Sequence, residues 1–545
     1  MEHSKAEAAS SWRAKEPTQG EERDARSLQM EFAMVPDMVK QFVGYFYRHI
    51  RERNLNEIYS MYDVSFAKLS DRYFKGTNWP AADVIAELVD HDHVFLLLYK
   101  EMYFRHMYAT TQPKLSQRCE SWENYCNLFR VILHGNVNMQ LPNEWLWDMI
   151  DEFIYQFQAW CQYRLKPSRM PAQELEALKG CDNVWNVIDV TNYLQALVDK
   201  SGIVAELKAD GGAKLKAEEG YGPQSNVLRM LGYFSLVGLQ RVHSLIGDYD
   251  SALKALYPIV LQNRSMLYST KIPGCNITAH YYSAFAYIML KRYNDASKIL
   301  NSVLSYVVRV KGFLRNSSQY DQILKKNEQM YAMLAITAAL APASQRNLDE
   351  NVANLLREKH NEKIAQMTRG TESVYDELFS YACPKFVAPR APDFENALDT
   401  NQSAYLQQLK LFLTEIRQQQ YLATIKQYLK LYTSISLSKL AALMNTDESA
   451  IRTHMMTLKL QTSQKEWAGE GDATEGVWTH SGDIDFYVDV DPTTGSEMVI
   501  VTETDVTKRH GDFLARHILK LEDIQRDLSL AQPVQTTNPA AAVYV

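Results

Sequence analysis

Between Pro36 and about residue 204, apolar side chains recur every three or four positions in successive runs: VPDMVKQFVGYFYRHIRERN, AADVIAELVDHDHVFLLLYKEMYFRHMYA, SWENYCNLFRVILHG, LPNEWLWDMIDEFIYQFQAWCQYRLK and DNVWNVIDVTNYLQALVDKSG. Each run carries one apolar stripe and stops near Gly, Asn or Pro, which predicts an N-terminal helical region over 31–204. The stretch IVAELKADGGAKLKAEEGYGPQS breaks the rhythm with four glycines and a proline. It predicts a long surface loop over 205–225. Residues 1–30 are polar and 531–545 lack periodicity, so both ends are expected to be disordered tails.

The pattern then repeats. LGYFSLVGLQRVHSLIGDYDSALKALYPIV and AHYYSAFAYIMLKRYNDASKILNSVLSYV align at an offset of 44, Tyr249 on Tyr293 and Ala252 on Ala296. The alanines let two helices approach closely and the tyrosines fill the turn, which predicts helical hairpins over 226–307. The likeness to tetratricopeptide repeats is loose, because 44 exceeds their period of about 34. A generic helical hairpin accounts for the same two copies.

A helical part follows over 308–433, interrupted at CPKFVAPRAPDF and resuming at AYLQQLKLFLTEIRQQQYLATIKQYLKLY. In ISLSKLAALMNTDESAIRTHMMTLKL, Leu437, Leu440, Ala441 and Met444 mark one short helix and Ile451, Met455 and Leu458 another, with Thr446 or Asp447 placed to cap the second. A hairpin follows: DIDFYVDVD, a turn at Pro492–Gly495, and EMVIVTET. Ile484, Phe486, Val488 and Val490 share one face of its first strand, expected to pack, and alternating aspartates share the other. Two helices and a two-stranded wing make a winged helix over 434–514. The chain is thus mainly α, a helical stack running into a winged helix. A last helix over 510–530 carries Leu514, Ile518, Leu521, Ile524 and Leu528 at alternating intervals of four and three, the stripe of a helix that pairs with another.

Charge changes the meaning of the helix-turn-helix. The chain carries a net −7, and 434–514 alone holds six Lys/Arg against 14 Asp/Glu, so this segment is its most acidic part. Phosphate contacts supply most non-specific affinity for duplex DNA and need positive potential. The second helix offers Arg452, His454 and Lys459 but no Arg/Asn pair suited to bidentate base readout. The module reads as a protein-contact platform that does not bind duplex DNA.

Motifs for chemistry fail in turn. The six cysteines form no Cys-x-x-Cys pair or zinc spacing and read as reduced thiols. His91 and His93, placed within one helix, point about 200° apart. The aspartate face of the wing lacks the glycine turn and terminal Glu of a calcium loop. GEGDATEG does not match a phosphate-binding loop, and G-x-S-x-G and H-E-x-x-H do not occur. No catalytic residue, cofactor or metal is expected, and the chain reads as non-enzymatic. The best basic cluster is Arg309, Lys311, Arg315, Lys325 and Lys326. It is a candidate RNA contact, though a charge run is more often a solvated face. With no signal segment and no apolar run beyond AMLAITAALA, the chain is expected in the cytoplasm and not in a membrane.

Helical pairs leading into a winged helix resemble PCI domains, found in the proteasome lid, the COP9 signalosome and eukaryotic translation initiation factor 3. LPNEWLWDMIDEFIYQFQAW, MLGYFSLVGLQRVHSLIGDYDSALK, ELFSYACPKFVAP and TIKQYLKLYTSISLSKLAALM resemble the L-subunit family of that factor. The likeness runs from about residue 35 to about residue 530. It fades at the termini and at 205–225 and 466–482. It implies a PCI domain over 308–514 and a scaffold subunit of the factor, which binds the small ribosomal subunit and recruits mRNA and initiator tRNA. The K subunit is the implied neighbour. The alternatives are a scaffold of another PCI assembly and a helical adaptor that binds RNA directly.

Overall fold

The computed structural model describes residues 19–530, apart from 136–137, 167–169, 222–224, 262–267, 315–319, 391–402, 470–473, 481–483, 493–494 and 503–504. The chain divides into two compact units. The first takes in the chain to residue 340 with 347–413 and 467–476; the second takes in 341–346, 414–466 and the chain from 477 onward.

The first unit is built of helices, with no strand among its described residues. Helix starts earlier than expected, at Gln19–Met34, inside the stretch read as a disordered tail. The Asp37–Glu52 helix buries Val39, Phe42, Val43, Phe46, Tyr47 and Ile50 on one face and ends on Arg53 in the left-handed conformation. The run around HDH is not one helix, contrary to the sequence expectation. Asp90 and His91 take positive φ, and the Asp92 carboxylate caps a new helix, His93–Thr110, by accepting from the Val94 and Phe95 amides at 3.0 and 3.1 Å. An Asp that satisfies two orphan amides outweighs helical continuity there.

The core of this unit is aromatic. Trp122, Tyr125, Phe129, Phe153 and Trp185 form one cluster, with Trp122 and Trp185 centroids 4.9 Å apart and Phe129 and Phe153 5.0 Å apart. Phe153 lies on the Asn143–Arg164 helix, which also buries Trp145, Leu146, Ile150, Phe157 and Trp160.

The stretch at 205–225 departs from the expected surface loop. It forms the helices Ile203–Asp210 and Ala213–Ala217, separated by Gly211 and Gly212 at positive φ. Ile203, Leu207 and Leu215 are buried, and Arg229 pairs with both Glu206 and Glu218. Asn143 fixes the end of the stretch through Nδ2, which donates to the Glu219 carbonyl at 2.9 Å. Three apolar anchors and an arginine from another helix therefore hold a segment whose glycines alone suggest a loop.

The two hairpins occur where the alignment places them, as Val227–Ile246 with Tyr249–Leu256 and Pro273–Met289 with Tyr293–Leu314. Ala252 and Ala296 are fully buried and Tyr249 and Tyr293 nearly so. The turns share the same backbone hydrogen bond. The Asp248 amide donates to the His243 carbonyl at 2.9 Å and the Arg292 amide to the Tyr287 carbonyl at 2.8 Å. The left-handed residue is Gly247 in one copy and Lys291 in the other.

The second unit is a winged helix. Its core joins Leu422, Ile425 and Leu429 of the Ser403–Leu431 helix to Ile435, Leu437, Leu440, Ala441, Ile451, Met455, Leu458, Phe486 and Val499. The Leu437–Met444 and Glu448–Thr462 helices meet at Asn445, left-handed at φ 50, with Asp447 in the N-cap position of the second. Strands β1 (Ser434–Ser436), β5 (Glu497–Thr502) and β4 (Asp485–Val490) form an antiparallel sheet in that order, registered by Ile435 opposite Val499 and by Val488 opposite Val499. A second pair, β2 (Ser463–Glu466) with β3 (Val477–His480), is absent from the sequence reading, because neither strand alternates clearly. The apolar face of β4 packs only in part: Phe486 is buried, whereas Val488 and Val490 are exposed. The terminal helix spans Asp505–Leu530.

Candidate interaction surfaces

A cleft in the helical unit holds about 750 Å³. Asp148, Asp151 and Glu152 of the Asn143–Arg164 helix line it together with Arg241, Lys325 and Lys326. Burial pushes Asp148 up to about 6 and Glu152 up to about 8, so Glu152 holds its proton at neutral pH. Beneath them Glu101 is wholly buried, paired with Arg105 and accepting from Trp145 Nε1 at 3.0 Å. Tyr62 donates to Asp148 at 2.6 Å. These charges knit helices together: each buried carboxylate has a donor aimed at it. Among the described residues no group of three or more His, Cys, Asp or Glu could hold a metal ion.

The described basic residues of the candidate RNA contact do not all line one site. Arg309 lines a small pocket with Asn301, Ser305 and Asp349, and its Nε donates to the Ser305 carbonyl at 3.1 Å. Lys311 is exposed, and Arg315 lies outside the described residues. Lys325 and Lys326 line the large cleft instead. Lys326 Nζ sits 3.6 Å from the Tyr281 ring centroid, and burial, reinforced by Arg241, lowers it to about 7. A lysine turned onto an aromatic face is poorly placed for a phosphate backbone.

In the winged helix the cations of the second helix are already engaged by the acidic wing. Arg452 pairs with Glu497 of β5, and Lys459 donates to Asp485 at 2.7 Å and to the Phe486 carbonyl at 2.5 Å. Two of the three residues available for a DNA contact are therefore neutralised within the module. The Met456 and Leu460 side chains on the same helix are exposed.

The terminal helix presents an exposed apolar stripe. Leu514, Ile518, Leu521, Ile524 and Leu528 are 54–68% exposed, and Phe513 and Leu519 widen the stripe beyond what the heptad reading found. Every described side chain from Phe513 to Ser529 is exposed. Val477 and Trp478 on β3 are a second exposed apolar pair, missed from the sequence because β3 itself was missed.

Residues 117–521 match the profile of a family described as RNA polymerase I-associated factor PAF67. The chain is 43% identical over 502 residues to eukaryotic translation initiation factor 3 subunit L of Nematostella vectensis, covering 91% of this chain and 93% of that protein. It is 40% identical over 528 residues to subunit L of Xenopus laevis and of Homo sapiens, with 92% of each chain covered. The chain belongs to the translation initiation factor 3 subunit L family. In this subunit L family member, no helix among the described residues is long and apolar enough to cross a membrane. Its fold is mainly helical with a C-terminal winged-helix region, as the family resemblance implied.

Proposed function

We propose that the chain is a non-catalytic scaffold subunit of eukaryotic translation initiation factor 3, working in the cytoplasm. In this reading it docks on sister PCI subunits, the K subunit foremost. It thereby supports binding of the factor to the small ribosomal subunit and recruitment of mRNA and initiator tRNA. The observation that carries the reading is the uncovered stripe from Leu514 to Leu528: an amphipathic helix left bare in the lone chain has a face that association can bury. The engaged cations of the winged helix point the same way, toward protein and away from nucleic acid.

A tagged full chain, purified from its own cells and analysed for co-purifying proteins, tests this directly. Recovery of the other subunits of the initiation factor, the K subunit among them, is the expected result. Recovery of proteasome-lid, signalosome or RNA polymerase I components instead would reassign the scaffold. Salt-sensitive retention of the lone chain on bulk RNA would replace it with an RNA-binding adaptor.

A further inference from the structure

Of the six cysteines, Cys119 and Cys181 alone have sulfurs in contact among the described residues, at 3.9 Å. They come from elements far apart in sequence. Cys119 lies in the second turn of the Leu115–His134 helix, and Cys181 lies just past the Ala172–Lys179 helix. Three contacts hold the two segments together independently of the thiols. Trp185, fully buried, donates from Nε1 to the Arg118 carbonyl at 3.2 Å, one residue from Cys119. The Arg118 guanidinium lies 4.6 Å from the Tyr163 ring centroid. Tyr163 in turn donates to Glu174 on the helix that precedes Cys181. The pair is therefore preset by packing, and both sulfurs are only half-buried.

We propose that Cys119 and Cys181 are a redox modification site, closing to an intramolecular disulfide when the chain meets a hydroperoxide. The thiolate of one cysteine of the pair attacks a peroxide oxygen; the O–O bond breaks, hydroxide leaves and that cysteine becomes a sulfenic acid. The thiol of the other then attacks that sulfur. The S–S bond forms, the S–OH bond breaks, and the hydroxide leaves as water with the second thiol's proton. Two electrons pass from the sulfurs to the peroxide, and no further co-reactant is needed. Burial, with Cys181 beside it, pushes the Cys119 thiol up to about 12. The bond ties the turn at 181–185 to the Leu115–His134 helix, a constraint that Trp185 already anticipates.

The test treats the folded full chain with hydrogen peroxide, blocks the remaining thiols and measures intact mass and a non-reducing peptide map. Expected are the loss of two hydrogens, one linkage joining the Cys119 and Cys181 peptides, and reversal by dithiothreitol. Cys119→Ser and Cys181→Ser should each lack the linkage and leave the remaining cysteine of the pair as a sulfenic acid that a dimedone-type reagent traps. Oxygen addition to the unsubstituted chain without the linkage overturns the proposal, and so does a linkage through other cysteines. Peptide mapping of the unsubstituted chain decides the matter even if a serine variant folds poorly.

Discussion

A single position separates the two hairpin turns. Gly247 and Lys291 occupy the same left-handed site 44 residues apart, and only one of them is suited to it. For a residue with Cβ this conformation costs ~1–2 kcal/mol, against ~0.5–1 kcal/mol of extra unfolded-state entropy for glycine. Lys291→Gly should therefore stabilise the chain by ~0.5–1 kcal/mol in urea unfolding, read at constant slope. Gly247→Ala should destabilise it by ~1–2 kcal/mol, because an alanine Cβ is strained there and its site lies 2.7 Å from Gln408 Nε2. A second prediction at this scale concerns pH. Native Glu152 keeps its proton up to about 8, while the unfolded side chain loses it near 4.5. The native state binds the extra proton between those values, so the stability tied to this group is lost as pH rises through the window. Glu152→Gln should thus gain melting temperature relative to the parent progressively from pH 5 to pH 8. A parallel pair of melting curves would remove burial of an acid as the cause.

Among elements, the terminal helix and the winged helix behave oppositely. The winged helix gathers part of its apolar stripes into one core, and its acidic wing pairs with Arg452 and Lys459 of the second helix. The terminal helix has an equally regular stripe and leaves it bare. Replacing Leu521 with Asp puts a charge in the middle of that stripe. With the helix docked, the cost of burying an unpaired charge should weaken assembly with sister subunits by several kcal/mol, ~100-fold or more in affinity. Because Leu521 is exposed in the lone chain, its cooperative melting should be unchanged. Co-purification at parental yield would remove the helix from the interface. The wing itself was legible as period-two alternation, yet which half of β4 packs was not. Val488 and Phe486 share a face, and only the latter meets the core formed by the Leu437–Met444 and Glu448–Thr462 helices.

For the molecule as a whole, charge sets the partners that remain possible. With a net −7 overall and the acidic excess concentrated in the winged helix, the full chain should not be retained on random duplex DNA at physiological salt. Micromolar binding in a gel-shift titration would contradict this.

The sequence by itself determined the helical class, the hairpin repeat, the winged helix and the family. Each of these rests on local periodicity, turn residues or long runs of similar residues, signals that survive without knowledge of neighbours in space. Tertiary structure alone decided the rest. Ile203, Leu207 and Leu215 turn a glycine-rich stretch into helices only because a core exists to receive them. Lys326 leaves the basic cluster because Tyr281 lies within reach. Cys119 meets Cys181 because Trp185 is anchored at Arg118. Burial, pKa and thiol contact are properties of pairs distant in the chain, and periodicity along one segment carries no information about which distant segment will face it.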